Sequence, residues 1–442
     1  MEIVRGIFGM AAILLLAVAF SSNRKAINWK LVGYGLGIQF ILAVFILKGR
    51  DMEAHWAPLG WPKDFFSWVS SFFVVVLDFT TAGAEFIFGD LALSPGMEGS
   101  MGNFFAFQVL PTIVFFASLT TILYHYGILQ WVVKHMASAM QKLMGTSGAE
   151  SLSVISNIFV GQTEAPLVVK PYVEKMTPSE LLAVMTGGMA TIAGGVMAAY
   201  VQMLGNSYAI AHGVELDVGR LMFAEQLLGA SLMAAPAALV IAKILYPEQS
   251  EPETMGDVKM EVKQKDANGI DAAASGAGLG LKLALNVGAM LLAFIALLAM
   301  GNHFLFHFGE FTGLNEMLEQ DLKIETLLGW LLAPIAFIIG VPLSDIVDVG
   351  SLLGVKVVLN EFVAYMQMAE MVGDDLLSPK TITMATFALC GFANFSSIAI
   401  QIGGIGGIAP SRKSDLAKFG LWAVFAGTLA NLMTATIAGM LF

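Results

Sequence analysis

The composition of this 442-residue chain is that of an integral membrane protein. Apolar residues make up 57% of the chain and charged residues 13%, whereas charged residues are roughly 25% of a soluble domain. The single cysteine, Cys390, excludes an internal disulfide and a cysteine-rich metal site. The six histidines form no zinc-binding pattern. A formal net charge of −11 argues against nucleic-acid binding.

Residues 1–127 are predicted to form scaffold spans and one interfacial helix. The first apolar segment is followed by basic residues, so we interpret it as a retained helix. The stretch 65–90 is apolar but carries Asp78 and Glu85, which is typical of an amphipathic helix at the membrane surface. Full spans are predicted at about residues 2–21, 31–48 and 104–127.

Residues 128–246 are predicted to form a first transport repeat around one unusual motif. The sequence Asn-Ile-Phe-Val-Gly-Gln-Thr-Glu-Ala-Pro (157–166) places the carboxylate of Glu164 inside an apolar stretch, where an ionisable group is costly and usually functional. The apolar runs on either side are too short to cross a core of roughly 30 Å. They predict a re-entrant hairpin over 148–175; the alternative is a turn between two spans. The other elements predicted are a surface helix at 129–144, a broken span at 178–205 and a span at 218–246.

The remainder of the chain is predicted to contain a linking region and a second transport repeat. Residues 247–321 combine a hydrophilic cytoplasmic segment with a scaffold span at about 279–300. Residues 322–442 repeat the earlier pattern: a surface helix at 324–341, a hairpin at 344–371 around Asn360-Glu361-Phe362, and spans at 381–408 and 416–441. The fold class is therefore all-α, with eight transmembrane helices, two re-entrant hairpins and interfacial helices.

The two repeats can be aligned residue by residue. Positions 13 to 16 after Pro178 are Thr191-Ile192-Ala193-Gly194. Positions 13 to 16 after Pro379 are Phe392-Ala393-Asn394-Phe395. One full span separates the repeats, so the second is inverted in the membrane relative to the first. Inverted repeats with matched broken helices are typical of secondary transporters, whose site lies at the repeat interface.

The distribution of basic residues predicts the orientation of the chain. Four clusters should face the cytoplasm, which places both termini outside, with Lys48 and Arg50 as mild exceptions. The clusters are Arg24/Lys25/Lys30, Lys134/Lys142, Lys259/Lys263/Lys265 and Arg412/Lys413/Lys418.

The polar residues at the hairpin tips and helix breaks suit a neutral ligand that carries hydroxyls and a planar ring. Each tip offers one carboxylate, Glu164 or Glu361, beside amide and hydroxyl groups. Carboxylates accept from hydroxyls, amides bond ring edges in both directions, and an aromatic residue packs on a ring. The tips and breaks contain no Arg or Lys, which disfavours phosphate or carboxylate ligands. Nucleosides fit this set, and nucleotides do not.

Four motifs in order resemble the concentrative nucleoside transporter family. They are Val-Gly-Gln-Thr-Glu-Ala-Pro (160–166), Ala-Thr-Ile-Ala-Gly (190–194), Asn-Glu-Phe-Val-Ala-Tyr (360–365) and Gly-Phe-Ala-Asn-Phe-Ser-Ser-Ile (391–398). The resemblance extends from about residue 100 to the C-terminus. It implies a bacterial sodium-coupled symporter in the inner membrane, assembled as a homotrimer, in which a transport part moves like an elevator past a scaffold.

The resemblance also implies a role for individual residues. Gln162, Thr163 and Glu164 would face the base, with Glu164 acting through water, and Val196 and Phe392 would pack on it. Glu361, Asn394 and Ser397 would hold the ribose hydroxyls. A co-transported sodium ion would bind Asn157, the Val160 carbonyl, the Thr191 hydroxyl and the Ile192 carbonyl, a set of oxygen ligands that suits a hard cation. Sodium-coupled bacterial members often have serine where this chain has Thr191.

Each assignment has an alternative. Asn157 could cap a helix, Phe392 could be ordinary packing, and Ser397 could bond its own helix backbone. Asp78, Glu85, Asp345 and Asp348 are interpreted as interfacial charges. The main functional alternative is a proton-coupled nucleoside symporter that uses Glu164 or Glu361; a channel or an intramembrane hydrolase fits the inverted repeat and the residue set less well.

Overall fold

The computed structural model describes residues 2–95, 97–255 and 266–442, and every regular element in these ranges is helical. The predicted cytoplasmic lysines Lys259, Lys263 and Lys265 lie outside the described residues. The N-terminal part contains α1 (Glu2–Ala19), α2 (Trp29–Glu53), α3 (Trp61–Phe88), α4 (Phe105–Gln108) and α5 (Leu110–His125).

The first repeat contains six helices and a 3-10 segment at Ala165–Val169. The helices are α6 (Ile128–Met144), α7 (Gly148–Ser156), α8 (Lys170–Val173), α9 (Pro178–Ala190), α10 (Gly194–His212) and α11 (Leu216–Leu245). Two helices link the repeats: α12 (Gly269–Thr312) and α13 (Leu314–Leu318). The second repeat contains α14 (Ile324–Ile339), α15 (Ile346–Val358), α16 (Glu361–Gly373), α17 (Pro379–Leu389), α18 (Phe395–Ile408) and α19 (Lys413–Leu441).

The all-helical class confirms the sequence prediction, and the division of the chain into two inverted repeats with re-entrant hairpins stays a prediction. Within the described ranges, seven segments are long and apolar enough to cross a membrane: α2, α3, α5, α9–α10, α11, α12 and α19. The predicted eight spans include two that fall short of this criterion, α1 and the broken α17–α18. The segment α3, predicted to be interfacial, meets the criterion, and its position relative to a bilayer stays a prediction.

Capping residues in the sequence fix where the half-length helices begin. Ser147 and Glu150 form a reciprocal capping box at the start of α7, and Thr177 and Glu180 form another at the start of α9. The Ser378 side chain caps α17 by accepting from the Thr381 backbone N–H, without a reciprocal partner. Both broken spans begin with a proline in the first turn, where its missing N–H costs no hydrogen bond.

Asp345, interpreted from the sequence as an interfacial charge, is buried in the protein, and its position relative to a bilayer stays a prediction. Its carboxylate is buried and accepts hydrogen bonds from the Ser378 hydroxyl, 2.7 Å away, and from the Thr381 hydroxyl. These bonds tie the start of the second hairpin to the start of α17. A buried carboxylate needs such partners, and the sequence spacing of 33 residues between Asp345 and Ser378 gives no sign of them.

The centre of the molecule is a bundle in which the two repeats interlock. Both continuous helices, α11 and α19, pack against both α9 and α17. The first hairpin folds back because α7 packs on the 3-10 segment Ala165–Val169, and the second because α15 packs on α16. The breaks of both spans, Thr191–Ala193 and Cys390–Asn394, therefore lie beside the hairpins, inside the protein.

The two breaks approach each other most closely at Gly391. A Cβ atom at this position would lie 2.5 Å from Asn431 Oδ1 and 2.7 Å from the Ala190 carbonyl oxygen. Backbone atoms and a buried side chain occupy that space, so only glycine fits between the two broken spans.

We expect Gly391→Ala to destabilise the protein by about 1–3 kcal/mol, because overpacking a buried contact forces the backbone to move. Thermal unfolding of the detergent-solubilised protein, followed by size-exclusion chromatography, measures this loss. Gly403→Ala on α18 is the matched control, since a Cβ there meets no atom within 4 Å. Equal stability of both variants would contradict the close approach.

Candidate functional site

The tip of the first hairpin lies against the break in the α9–α10 span. α7 ends at Ser156, and Asn157 is its C-terminal cap residue. The backbone N–H of Gly194, the first residue of α10, donates to the Phe159 carbonyl at 3.3 Å. This bond joins the tip to the break, so neither segment can shift without disturbing the other.

Asn157 and Thr191 form a buried oxygen-rich cluster at this junction. Asn157 Nδ2 donates to the Thr191 hydroxyl oxygen at 2.6 Å and to the Gly187 carbonyl at 3.0 Å. The Asn157 Oδ1 atom is buried and has no hydrogen-bond partner in the described structure. A buried acceptor without a partner is costly, and it is available to ligate a cation. Asn157 and Thr191, two of the four predicted ion ligands, are thus in side-chain contact. The other two lie close by in the sequence: Val160 is three residues after Asn157, and Ile192 is one residue after Thr191.

Gln162 connects the first hairpin to α18 of the second repeat. Its Nε2 donates to the Ser397 hydroxyl at 3.1 Å, and its Oε1 accepts from Gln401 Nε2 at 3.0 Å. Gln401 also donates to the Met185 carbonyl of α9 at 2.9 Å. These bonds bring residues more than 230 positions apart into one polar chain.

The neighbouring tip residues differ in their burial. Thr163 packs against α18 where Gly404 leaves room, since a Cβ on Gly404 would lie 2.9 Å from Thr163 Cγ2. Glu164 is exposed. The carboxylate of Glu164, which made the motif conspicuous in the sequence, is therefore accessible at the surface of the chain and not buried in its interior.

Glu361 is the buried carboxylate of the second hairpin tip. It begins α16 and is 5% exposed. Its Oε1 accepts from the Tyr200 hydroxyl at 2.9 Å, and its Oε2 accepts from Asn394 Nδ2 at 2.9 Å. These two partners come from the two broken spans, so Glu361 links the second hairpin to both repeats.

Asn394 and Ser397 hold the start of α18 in a fixed orientation. Asn394 Oδ1 accepts from the Ser397 backbone N–H at 2.9 Å and from the Ser396 hydroxyl at 2.7 Å. The Ser397 hydroxyl accepts from Gln162, as described above, which makes Ser397 a contact between the repeats. Of the apolar candidates, Val196 is buried and Phe392 is partly buried against the core.

Tyr200 and Gln401 are site residues that the sequence analysis missed. Each lies four positions after a predicted residue on the same helix, Tyr200 after Val196 and Gln401 after Ser397. Residues four apart share one helix face, so a polar side chain at that spacing in an apolar run was a usable signal.

Comparisons with known proteins identify the family. Three family descriptions match successive parts of the chain: sodium-dependent nucleoside transporter N-terminus at residues 8–91, nucleoside recognition at 106–207, and sodium-dependent nucleoside transporter C-terminus at 226–439. The nucleoside permease NupC of Helicobacter pylori is 42% identical over 98% of this chain and 96% of its own length. The chain belongs to the sodium-dependent nucleoside transporter family.

Other relatives agree with this assignment. The uncharacterized transporter YutK of Bacillus subtilis is 44% identical over the full length of both chains. Sodium/nucleoside cotransporter 1 of Mus musculus is 38% identical over 98% of this chain and 63% of its own length. The chain is thus a multi-pass membrane nucleoside transporter and not an enzyme, as the sequence predicted.

Solved structures of the transporter CNTnw have the same fold. An inward-facing, substrate-bound structure matches with a TM-score of 0.84 and 43% identity, covering 100% of this chain and 98% of the other. An outward-facing CNTnw structure matches with a TM-score of 0.85 and 42% identity over the same shares. A fold seen in both states belongs to an alternating-access transporter.

We expect Tyr200→Phe to raise the nucleoside concentration for half-maximal uptake by about tenfold, because a hydrogen bond to a charged group contributes roughly 1.5–3 kcal/mol. The measurement is the concentration dependence of uridine uptake. Tyr365→Phe is the control: its hydroxyl is equally buried but donates to the Thr386 backbone carbonyl at 2.7 Å and not to Glu361. A shift in Tyr365→Phe alone would contradict a specific role for Tyr200.

Proposed function

We propose that this protein imports nucleosides by sodium symport with elevator-type alternating access. The observation that carries the proposal is the cluster of Asn157, Thr191 and Gly187, in which a buried amide oxygen has no partner. The same hairpin tip continues directly into Gln162 and Thr163. Sodium and nucleoside sites that share one short segment give the shortest possible route for coupling.

The sodium ion, as co-transported substrate, would bind between the hairpin tip and the α9 break. Its ligands would be Asn157 Oδ1, the Thr191 hydroxyl, and the carbonyls of Val160 and Ile192. All are hard oxygen ligands, and they lie just beyond the C-terminal end of α9, where the helix dipole adds negative potential. Threonine at position 191 supplies the same hydroxyl as serine.

The nucleoside would bind between the two hairpin tips. Gln162, Thr163 and Glu164 would face the base, and Val196 and Phe392 would pack on it. Glu361, Asn394 and Ser397 would bind the ribose hydroxyls. The existing bonds between Gln162 and Ser397 and between Glu361 and Asn394 support this arrangement, because they place the base-facing and ribose-facing residues side by side.

Sodium binding would be coupled to nucleoside binding because the ion would hold the first hairpin tip in one position. An ion that ties Asn157 and Val160 to the α9 break would fix the position of Gln162 and Thr163. Sodium would thereby raise nucleoside affinity, and the nucleoside must raise sodium affinity by the same factor.

The moving and fixed parts follow the predicted division of the chain. The hairpins and broken spans of 128–246 and 322–442 would move as the transport part. The pair α5 and α12, which packs together along its length, would be the core of the scaffold. α12 exposes a long apolar face that includes Leu285, Leu292 and Phe304, and this face supports contact with lipid or with neighbouring protomers in a homotrimer.

Proton coupling is the second candidate because Glu361 is buried and bonded to a tyrosine hydroxyl. Uridine uptake into proteoliposomes separates the two mechanisms. A sodium gradient without a pH gradient should drive concentrative uptake. Uptake that ignores sodium and follows an imposed pH gradient would replace the sodium proposal with the proton mechanism.

We expect Thr191→Val to raise the sodium concentration for half-maximal uptake by about tenfold or more, because one oxygen ligand is replaced by a methyl group of similar size. Uptake at saturating sodium should change much less. Thr186→Val on the same helix is the control, since the Thr186 hydroxyl donates to the Leu182 carbonyl of its own helix. Unchanged sodium dependence in Thr191→Val would remove Thr191 from the ion site.

We expect Glu361→Gln to weaken ribonucleoside uptake by at least about tenfold, because an amide has one neutral acceptor oxygen where a carboxylate has two that share a negative charge. A 2′,3′-dideoxynucleoside, which lacks both hydroxyls, should lose much less affinity on the same change. Competition against labelled uridine measures both effects. An equal loss for the two ligands would show that Glu361 acts on the protein and not on the ribose.

A further inference from the structure

Lys356 is a buried cation that the transport mechanism described so far does not use. It lies on α15, the first arm of the second hairpin, and is 1% exposed. Its Nζ donates to the Ala388 carbonyl at 2.9 Å and to Asn431 Oδ1 at 2.8 Å. No salt bridge reaches it within the described residues. The ammonium thus donates to two neutral oxygen atoms, which are ligands of the kind that a hard metal cation takes.

Asn431 extends this contact to both broken spans. Its Nδ2 donates to the Ala190 carbonyl at 2.7 Å and to the Cys390 carbonyl at 2.6 Å. Ala190 is the last residue of α9, and Cys390 follows the last residue of α17. The C-terminal end of a helix carries unpaired carbonyls and negative potential. Lys356 and Asn431 therefore place one positive charge where two helix ends meet.

The repeat alignment gives this arrangement a counterpart in the first half of the chain. Gly187 is the ninth residue after Pro178, and Ala388 is the ninth residue after Pro379. The Gly187 carbonyl accepts from Asn157 on the first arm of the first hairpin, and the Ala388 carbonyl accepts from Lys356 on the first arm of the second. Equivalent carbonyls of the two broken helices thus meet a polar side chain from equivalent hairpin arms.

We propose that the Lys356 ammonium is a built-in cation that takes the place of a second sodium ion in the second repeat. The first repeat has an open oxygen cluster with an unpartnered Asn157 Oδ1, whereas the second has the same helix end neutralised by a tethered charge. The second repeat therefore holds no exchangeable cation. The number of ions that the unmodified chain binds depends on the proposed sodium symport, but the role of Lys356 as a fixed cation does not.

Counting bound sodium tests the proposal. Equilibrium binding of radioactive sodium to the purified full-length protein, with saturating uridine, should give one ion per protomer for the unmodified chain. Lys356→Ala leaves the Ala388 and Asn431 oxygens without their cation and should bind one additional ion. Lys356→Arg, which keeps the charge, should not. An unchanged count in a folded Lys356→Ala protein would overturn the proposal, and so would two ions in the unmodified chain.

A rescue experiment keeps the proposal testable if Lys356→Ala does not fold. Purification in n-propylammonium, which matches the missing part of the side chain, should restore a monodisperse protein and its thermal stability. n-Propanol, which fills the space without a charge, should not. Equal rescue by both compounds, or by neither, would show that Lys356 acts through packing.

These readouts separate this proposal from that of sodium symport. A protein that transports without sodium would bind no ion in its unmodified form, yet Lys356→Ala would still gain one cation or respond to n-propylammonium. A sodium-driven protein whose Lys356→Ala variant gains no ion and shows no charge-dependent rescue would leave the symport intact and exclude the built-in cation.

Discussion

The structure depends on how the free carbonyls of two interrupted helices are satisfied inside an apolar protein. A helix that ends at membrane depth exposes backbone oxygens that water cannot reach. At the end of α9, the nearby partners are Asn157, Asn431 and the proposed sodium ion; at the end of α17 they are Lys356 and Asn431. Each helix end is thereby joined to a hairpin, and the polar groups required for stability lie beside those proposed to bind the substrate.

The same constraint explains why the two repeats interlock instead of lying side by side. Gln162 of the first hairpin bonds to Ser397 and Gln401 of the second repeat, and Glu361 of the second hairpin bonds to Tyr200 of the first. Each hairpin tip thus obtains at least one partner from the opposite repeat. A nucleoside between the tips would replace or extend these bonds, so its binding would alter how firmly the repeats are held together.

The two repeats share one arrangement of helices but have different polar groups at the end of the first half of each broken span. The first has an amide with a free oxygen and a nearby hydroxyl at the helix end, which favours a mobile cation. The second has an ammonium on a side chain, which cannot leave. Occupancy by an exchangeable ion depends on the external sodium concentration, so this ion can change the nucleoside affinity. A tethered charge only stabilises the position of the second hairpin. The proposed coupling site and the proposed structural cation both rest on this difference.

The sequence by itself determined the all-helical class, the repeats, the helix breaks and the four polar motifs, because these depend on local composition, capping residues and spacing along the chain. The tertiary structure alone decided that Glu164 is exposed, that Asp345 is buried, and that Lys356 and Asn431 join the polar network. A polar residue within an apolar helix can face lipid, a neighbour or a cavity. Which of these it faces depends on the packing of segments up to 240 residues apart, and periodicity carries no record of that contact.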